Sequence, residues 1–243
     1  MFALKAKLKA ISGPWRMLVI LSSLATITAG CATVDYENVG VGRFRGSVFV
    51  MWVGEGGQSG DGRFLFVPDP GDPLRFYRPP SARNAPMIQP RMMYTDGGSI
   101  PKAAQLFNGL SPWGYAPAYM IHDWLFKARH CLVDGADDEA FAPLHSVSFD
   151  DSAIILGEAI KTLIAERRVQ ENDLAPNAIT GAVGSPVARR LWDATGACAK
   201  ERVSDEHAAA ANAAIPGSAR FGRRFGGQAP SRYSAKVITR VSF

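Results

Sequence analysis

Apolar residues along this chain fall first in short β-branched and aromatic runs and then at the wider spacing of helices. Residues 43–53 (RFRGSVFVMWV) are rich in β-branched and aromatic side chains, and residues 63–67 (RFLFV) read the same way. Gly54, Gly56, Gly57, Gly60 and Gly62 lie between them, which predicts a hairpin with a long loop. Pro68, Pro70, Pro73, Pro79, Pro80, Pro86 and Pro90 then exclude a continuous helix and leave room for short strands at 74–77 and 91–94. After Pro101 the spacing predicts helices over 113–130, 134–145, 150–169 and 187–200, with a short Ala-rich helix over 208–214. Pro117 is tolerated in the first turn of the first helix, and Asp134 is placed to open the second. In 150–169, Ile155, Ala159 and Leu163 with Ala153, Ile160 and Ile164 make one apolar face. From Pro216 onward Gly, Arg and Ser dominate, which predicts a disordered tail. The expected architecture is α+β: a small antiparallel sheet followed by a helical subdomain of about four helices. The domain is expected over 43–200, after a spacer at 31–42 and before an Ala-rich segment and basic tail over 201–243.

Composition narrows the class. Of 243 residues, 47% are hydrophobic and 20% charged, which excludes a disordered polyelectrolyte, a collagen-like repeat and a multi-span membrane protein. The net charge of +5 is unevenly distributed: residues 1–30 carry +4, residues 216–243 carry +6, and residues 31–215 carry −5. A mildly acidic body with basic ends is not a nucleic-acid-binding domain. The basic tail instead suits anionic envelope polymers or lipid headgroups.

The N-terminal segment predicts export. Lys5, Lys7, Lys9 and Arg16 precede the apolar run 17–29, which is shorter than the roughly 20 residues a permanent span needs and fits a secretory signal. The run closes in Thr28-Ala29-Gly30-Cys31, which resembles a bacterial lipoprotein signal with Thr28 where Leu is usual. That resemblance implies a signal peptide over 1–30, lipidation of Cys31 and a membrane anchor. By resemblance to lipoprotein sorting, Ala32 after the cysteine implies the periplasmic face of the outer membrane. The competing expectations are ordinary cleavage nearby or a retained anchor helix. Cys131 and Cys198 then remain as an even pair, either bridged in an oxidising compartment or both free.

Two segments carry the candidate chemistry: Thr95-Asp96-Gly97-Gly98-Ser99-Ile100-Pro101 and His122-Asp123-Trp124-Leu125-Phe126. With Pro112-Trp113-Gly114-Tyr115 and the stretch from Ala136 to Phe141 they form an ordered set. It resembles the domain of unknown function 1353 family of phages and bacteria, over roughly residues 40–200. Phe126 stands where that family more often has Tyr, and Asp137-Asp138 offers two carboxylates for one family position. The resemblance implies a fold and brings no activity.

The helical spacing of Ala118, Ile121 and Leu125 turns His122 inward, where desolvation favours the neutral ring. Asp123 is rotated about 100° from it, which predicts separate roles for the two. If helix 134–145 packs antiparallel, Asp137 or Asp138 comes near His122 and orients it as a general base. The pattern is also similar to secreted phospholipases, with His122 as base and Asp137 or Asp138 orienting it. On that likeness Asp123 helps hold Ca2+ with carbonyls from Asp96, Gly97 and Gly98. The dense disulfides and loop spacing of those enzymes are missing. Against the chemical roles stand structural ones: His122 bracing two helices, Asp123 paired with Lys127, and Asp96 and Ser99 forming a turn. Two functions therefore compete, a non-catalytic binding or structural module, slightly favoured, and a tethered hydrolase.

Overall fold

The computed structural model describes residues 34–54, 62–95, 115–169, 183–218 and 232–243. The expected signal segment 1–30, Cys31, and Asp96, Gly97 and Gly98 lie outside them. The fold is α+β. Strands β1 (Arg43–Arg45), β4 (Arg75–Tyr77) and β5 (Met87–Ile88) form one antiparallel sheet in the order β1-β4-β5. Strands β2 (Ser47–Gly54), β3 (Arg63–Pro68), β6 (Met93–Thr95) and β7 (Ser234–Ser242) form a second in the order β6-β3-β2-β7. The helices are α1 (Ala116–Val133), α2 (Phe149–Ala165), α3 (Pro186–Trp192), α4 (Cys198–Glu201) and α5 (Asp205–Ala214). Among the described residues no helix is long and apolar enough to cross a membrane.

The expected hairpin is present: β2 pairs antiparallel with β3 from Val48↔Pro68 to Val53↔Arg63. The preceding segment is two strands, because Gly46 takes φ +83° and hands the chain from one sheet to the other. A Cβ there would sit 2.1 Å from the Pro73 carbonyl oxygen, so only glycine fits. The near-continuous apolar run of β2 follows from burial on both faces. Val48 and Val50 enter the main core with Phe66 and the α1 and α2 residues, while Phe49, Met51 and Val53 enter a smaller core with Ala210 and Ala211 of α5.

The C-terminal tail corrects the sequence expectation. Residues 234–242 are a strand, paired with β2 from Ser47↔Ser242 to Gly54↔Ser234. Its alternation of Ala235, Val237, Thr239 and Val241 is half-buried, and the Gly- and Arg-rich stretch before it hid that short period. A bulge at Ile238, where Val50 pairs with Thr239 and the next residue Met51 with Val237, shifts the strand's phase. Ala235 and Val237 therefore pack on the smaller core, and Val241 and Phe243 on the main one. Arg240 pairs with Asp69 at 2.8 Å. The domain thus runs past residue 200 to the C-terminus, with α5 and β7 part of its core.

The expected helix over 134–145 is a second correction. Gly135, at φ +81°, ends α1 in a left-handed turn, and the Ala136 amide bonds back to the Cys131 carbonyl. Asp138 then accepts from the Ala140 amide at 2.9 Å, a local turn in place of a helix cap, and only a 3-10 turn at Ala142–Leu144 follows. The α2 helix is capped by Ser148 and Asp151 reciprocally and starts at Phe149, one residue before the expected start at 150. The expected helix 187–200 is interrupted between α3 and α4, with Gly196 at φ +69°. That break lets the Asp134 carboxylate accept from the amides of Gly196 and Cys198. Cys198 is bridged to Cys131, with Cα atoms 4.6 Å apart. The main core also holds one buried ion pair: Arg78 of the β4–β5 connection donates to both carboxylate oxygens of Glu158 on α2, at 2.7 and 3.0 Å.

Candidate functional site

The α1 helix supplies the base of the site. Its start is apolar on every side, and Tyr115, Tyr119 and Trp124 are core residues, so this helix is buried along most of its length. His122 is 6% exposed, in ring contact with Phe126 at 4.8 Å. Burial pushes its pKa down to about 4, so the ring is neutral near pH 7, as its inward position predicted. Its Nε2 is sealed from solvent and has no hydrogen-bond partner among the described residues, and the same holds for the Tyr119 hydroxyl one turn earlier. Burial raises the Tyr119 pKa, and the Tyr115 and Asp123 charges add to the shift, which keeps the phenol protonated.

Among the described residues, the carboxylate paired with His122 belongs to its own helix. Asp123 Oδ1 lies 4.0 Å from His122 Nδ1, so the two side chains turn toward one another despite the rotation between their Cα positions. At that separation there is no hydrogen bond. Asp138 is instead within 3.2 Å of Arg91, on an exposed edge, and Asp137 is exposed. Without the helix that was to carry them, neither is brought to His122. Lys127, the expected ion-pair partner of Asp123, donates to the Glu201 carbonyl at 3.2 Å.

Beside His122 and Asp123 opens a cleft of about 830 Å³, walled by α1, α3, α4 and the β3 and β6 strands. Phe64, Met93, Phe126, Val183 and Leu191 make its walls largely apolar, and Arg63, Lys127, Lys200 and Glu201 bring charge to it. The disulfide and Asp134 hold α4 against α1, and that staple places Glu201 Oε1 2.8 Å from His130 Nδ1. His130 Nε2 meets the Leu191 carbonyl at 2.7 Å. Both ring nitrogens therefore face acceptors, which only the imidazolium satisfies, and the Glu201 contact raises the His130 pKa accordingly. Among the described residues, no group of three or more His, Cys, Asp or Glu is gathered to hold a metal ion.

The chain matches no known protein family, curated protein or solved structure.

Of the residues singled out from sequence, His122 and Asp123 share the cleft, Cys131 and Cys198 brace its rim, and Asp137 and Asp138 lie elsewhere. Tyr119, His130 and Glu201 are groups that sequence reasoning passes over, and Lys127 enters it only as a partner for Asp123. Tyr119 and Lys127 flank the His-Asp pair at helical spacing, so a reading of α1 by faces would have gathered them. Glu201 arrives through a fold contact 71 residues from His130, and no local signal foretells it.

Proposed function

We propose that this is an envelope-tethered bacterial lipoprotein whose domain is a non-catalytic binding module, with the cleft beside His122 as its ligand site. The observation that carries this reading is the cleft itself: about 830 Å³, largely apolar, with a few polar and charged side chains in its lining. Small-molecule sites are typically about 300–1,000 Å³ and built in this way. His122 suits binding better than base catalysis, because an imidazole with a pKa near 4 takes up a proton poorly at neutral pH. The anchor rests on Thr28-Ala29-Gly30-Cys31, and the outer-membrane position on Ala32. The ordered motif set supports kinship with the domain of unknown function 1353 family. Contact between the basic residues of 216–232 and anionic polymers or headgroups belongs to the same reading.

A hydrolase is the second reading, favoured by one observation. His122 Nδ1 stands 4.0 Å from Asp123 Oδ1, and a small side-chain rotation would close that gap to the hydrogen bond an orienting carboxylate makes. In this reading Asp123 takes the place expected of Asp137 or Asp138. Its calcium-assisted form adds Asp96, Gly97 and Gly98.

The test pairs binding with turnover. An environment-sensitive apolar dye and a p-nitrophenyl ester are presented to wild-type protein and to His122→Gln. The binding reading expects dye uptake with no ester turnover above the variant. Ester turnover that disappears in His122→Gln would transfer the conclusion to the hydrolase.

A further inference from the structure

Resting on the reading of the cleft as a ligand site, we propose that its ligand is a single-chain amphiphile with a carboxylate head, the head held by Lys127 and the chain along Phe126, Val187 and Leu191. The charge balance of the cleft argues for the head. Lys127 is half-buried, and its ammonium donates to a neutral acceptor, the Glu201 carbonyl, at 3.2 Å. The Glu201 carboxylate is bonded to His130 at 2.8 Å, and its charge offsets only part of the burial of Lys127. Arg63 and Lys200 stand at the exposed rim, so among the described residues the cations of the cleft outnumber Asp123 and Glu201 even before His130 is counted. Burial holds the Lys127 ammonium below the ordinary lysine range, and an incoming anion would relieve that strain. A lone ammonium suits a singly charged head. The Arg63 guanidinium, which would suit a phosphate, is stacked over the Tyr94 ring at 3.4 Å.

The apolar lip argues for the chain. Val187 and Leu191 lie one turn apart on α3, are 65% and 52% exposed, and border the cleft. Phe126 faces them from α1, in edge contact with Trp192 at 5.0 Å. Apolar side chains exposed on the lip of a cleft are surface that a hydrocarbon chain would cover, at roughly 25 cal/mol per Å². A lip of this kind beside a half-buried cation offers an amphiphile apolar surface for its chain next to a charge for its head.

The test uses the full chain and two fluorescent probes, a dansyl-labelled undecanoate and its methyl ester, at concentrations below micelle formation. The carboxylate should bind about tenfold or more tightly than the ester, the size of one charge-assisted hydrogen bond. Lys127→Gln keeps a donor for the Glu201 carbonyl and should remove that preference while leaving the ester's affinity unchanged. Lys127→Arg should retain the preference, which separates loss of charge from loss of fold. Val187→Ser with Leu191→Ser should weaken both probes. Equal affinity of wild type for the two probes overturns the carboxylate assignment and leaves the cleft reading standing. No binding of either probe, or binding that none of these variants changes, overturns both.

Discussion

Removing the Cys131–Cys198 bridge tests how far the helical half depends on a covalent staple. The bridged residues are 67 apart in sequence, so the reduced unfolded chain regains the freedom of a long loop. In the chain-entropy treatment, a loop of that length is worth about 4 kcal/mol of stability. A domain of this size loses roughly 2–4 °C of midpoint per kcal/mol, which predicts a fall of about 8–16 °C for Cys131→Ala with Cys198→Ala. The local consequence is equally specific. The α4 helix keeps the Asp134 hydrogen bonds to Gly196 and Cys198 but loses its covalent tie to α1, so the His130–Glu201 contact at 2.8 Å should loosen. The assay is circular dichroism through thermal and urea unfolding, on the double variant and on reduced wild type, with NMR titration of His130. If the unfolded state is where the bridge acts, the urea slope should rise as the unlinked chain exposes more surface. A midpoint shift of less than about 2 °C would refute the entropy argument. An unmoved His130 titration would refute the link between staple and cleft.

The buried Arg78–Glu158 pair gives a second test. Glu158→Leu leaves a guanidinium buried against an apolar side chain and should cost about 3–5 kcal/mol, whereas Arg78→Met with Glu158→Leu should recover much of the loss, both read from urea unfolding. For pH, His122 titrates near 4 when folded against about 6.5 unfolded, so its contribution is present above pH 6.5 and lost as pH falls toward 4. That loss is about 3 kcal/mol, and His122→Gln should flatten the acid limb of a midpoint-against-pH plot relative to wild type. Deleting residues 232–243 removes β7 and should destabilise the whole domain, and trypsin acting on the native protein should spare bonds within β7. Calcium should raise the thermal midpoint of wild type, but not of Asp123→Asn, only if the calcium-assisted hydrolase holds; a wild-type midpoint indifferent to calcium retires that form of the reading.

Much of the fold was legible because local periodicity and burial agree. The β2–β3 hairpin was read from two aromatic, β-branched runs with glycines between them, and α1 and α2 from their apolar stripes, each within a few residues of its bounds. The inward position of His122 followed from the same stripe. The α+β class needed no tertiary information, since β-branched and aromatic runs come before Pro68 and helix-period segments come after Pro101.

Tertiary structure decided whatever depends on partners far along the chain. The Gly- and Arg-rich stretch before Ser234 reads as disorder, yet β7 is ordered because β2 offers it a full edge of backbone partners, and a bulge at Ile238 fits one short alternation to two cores. Asp134 looked like the cap of a new helix, but its carboxylate is taken by amides more than 60 residues away, and Gly135 ends α1 instead. The pairing of His130 with Glu201 and the bridging of Cys131 to Cys198 are likewise products of the α3–α4 break, which folds α4 back onto α1. Spacing within a helix tells which way His122 points. The groups it faces are set by where the rest of the chain can pack, because burial energy is shared among segments and no single segment's pattern records it.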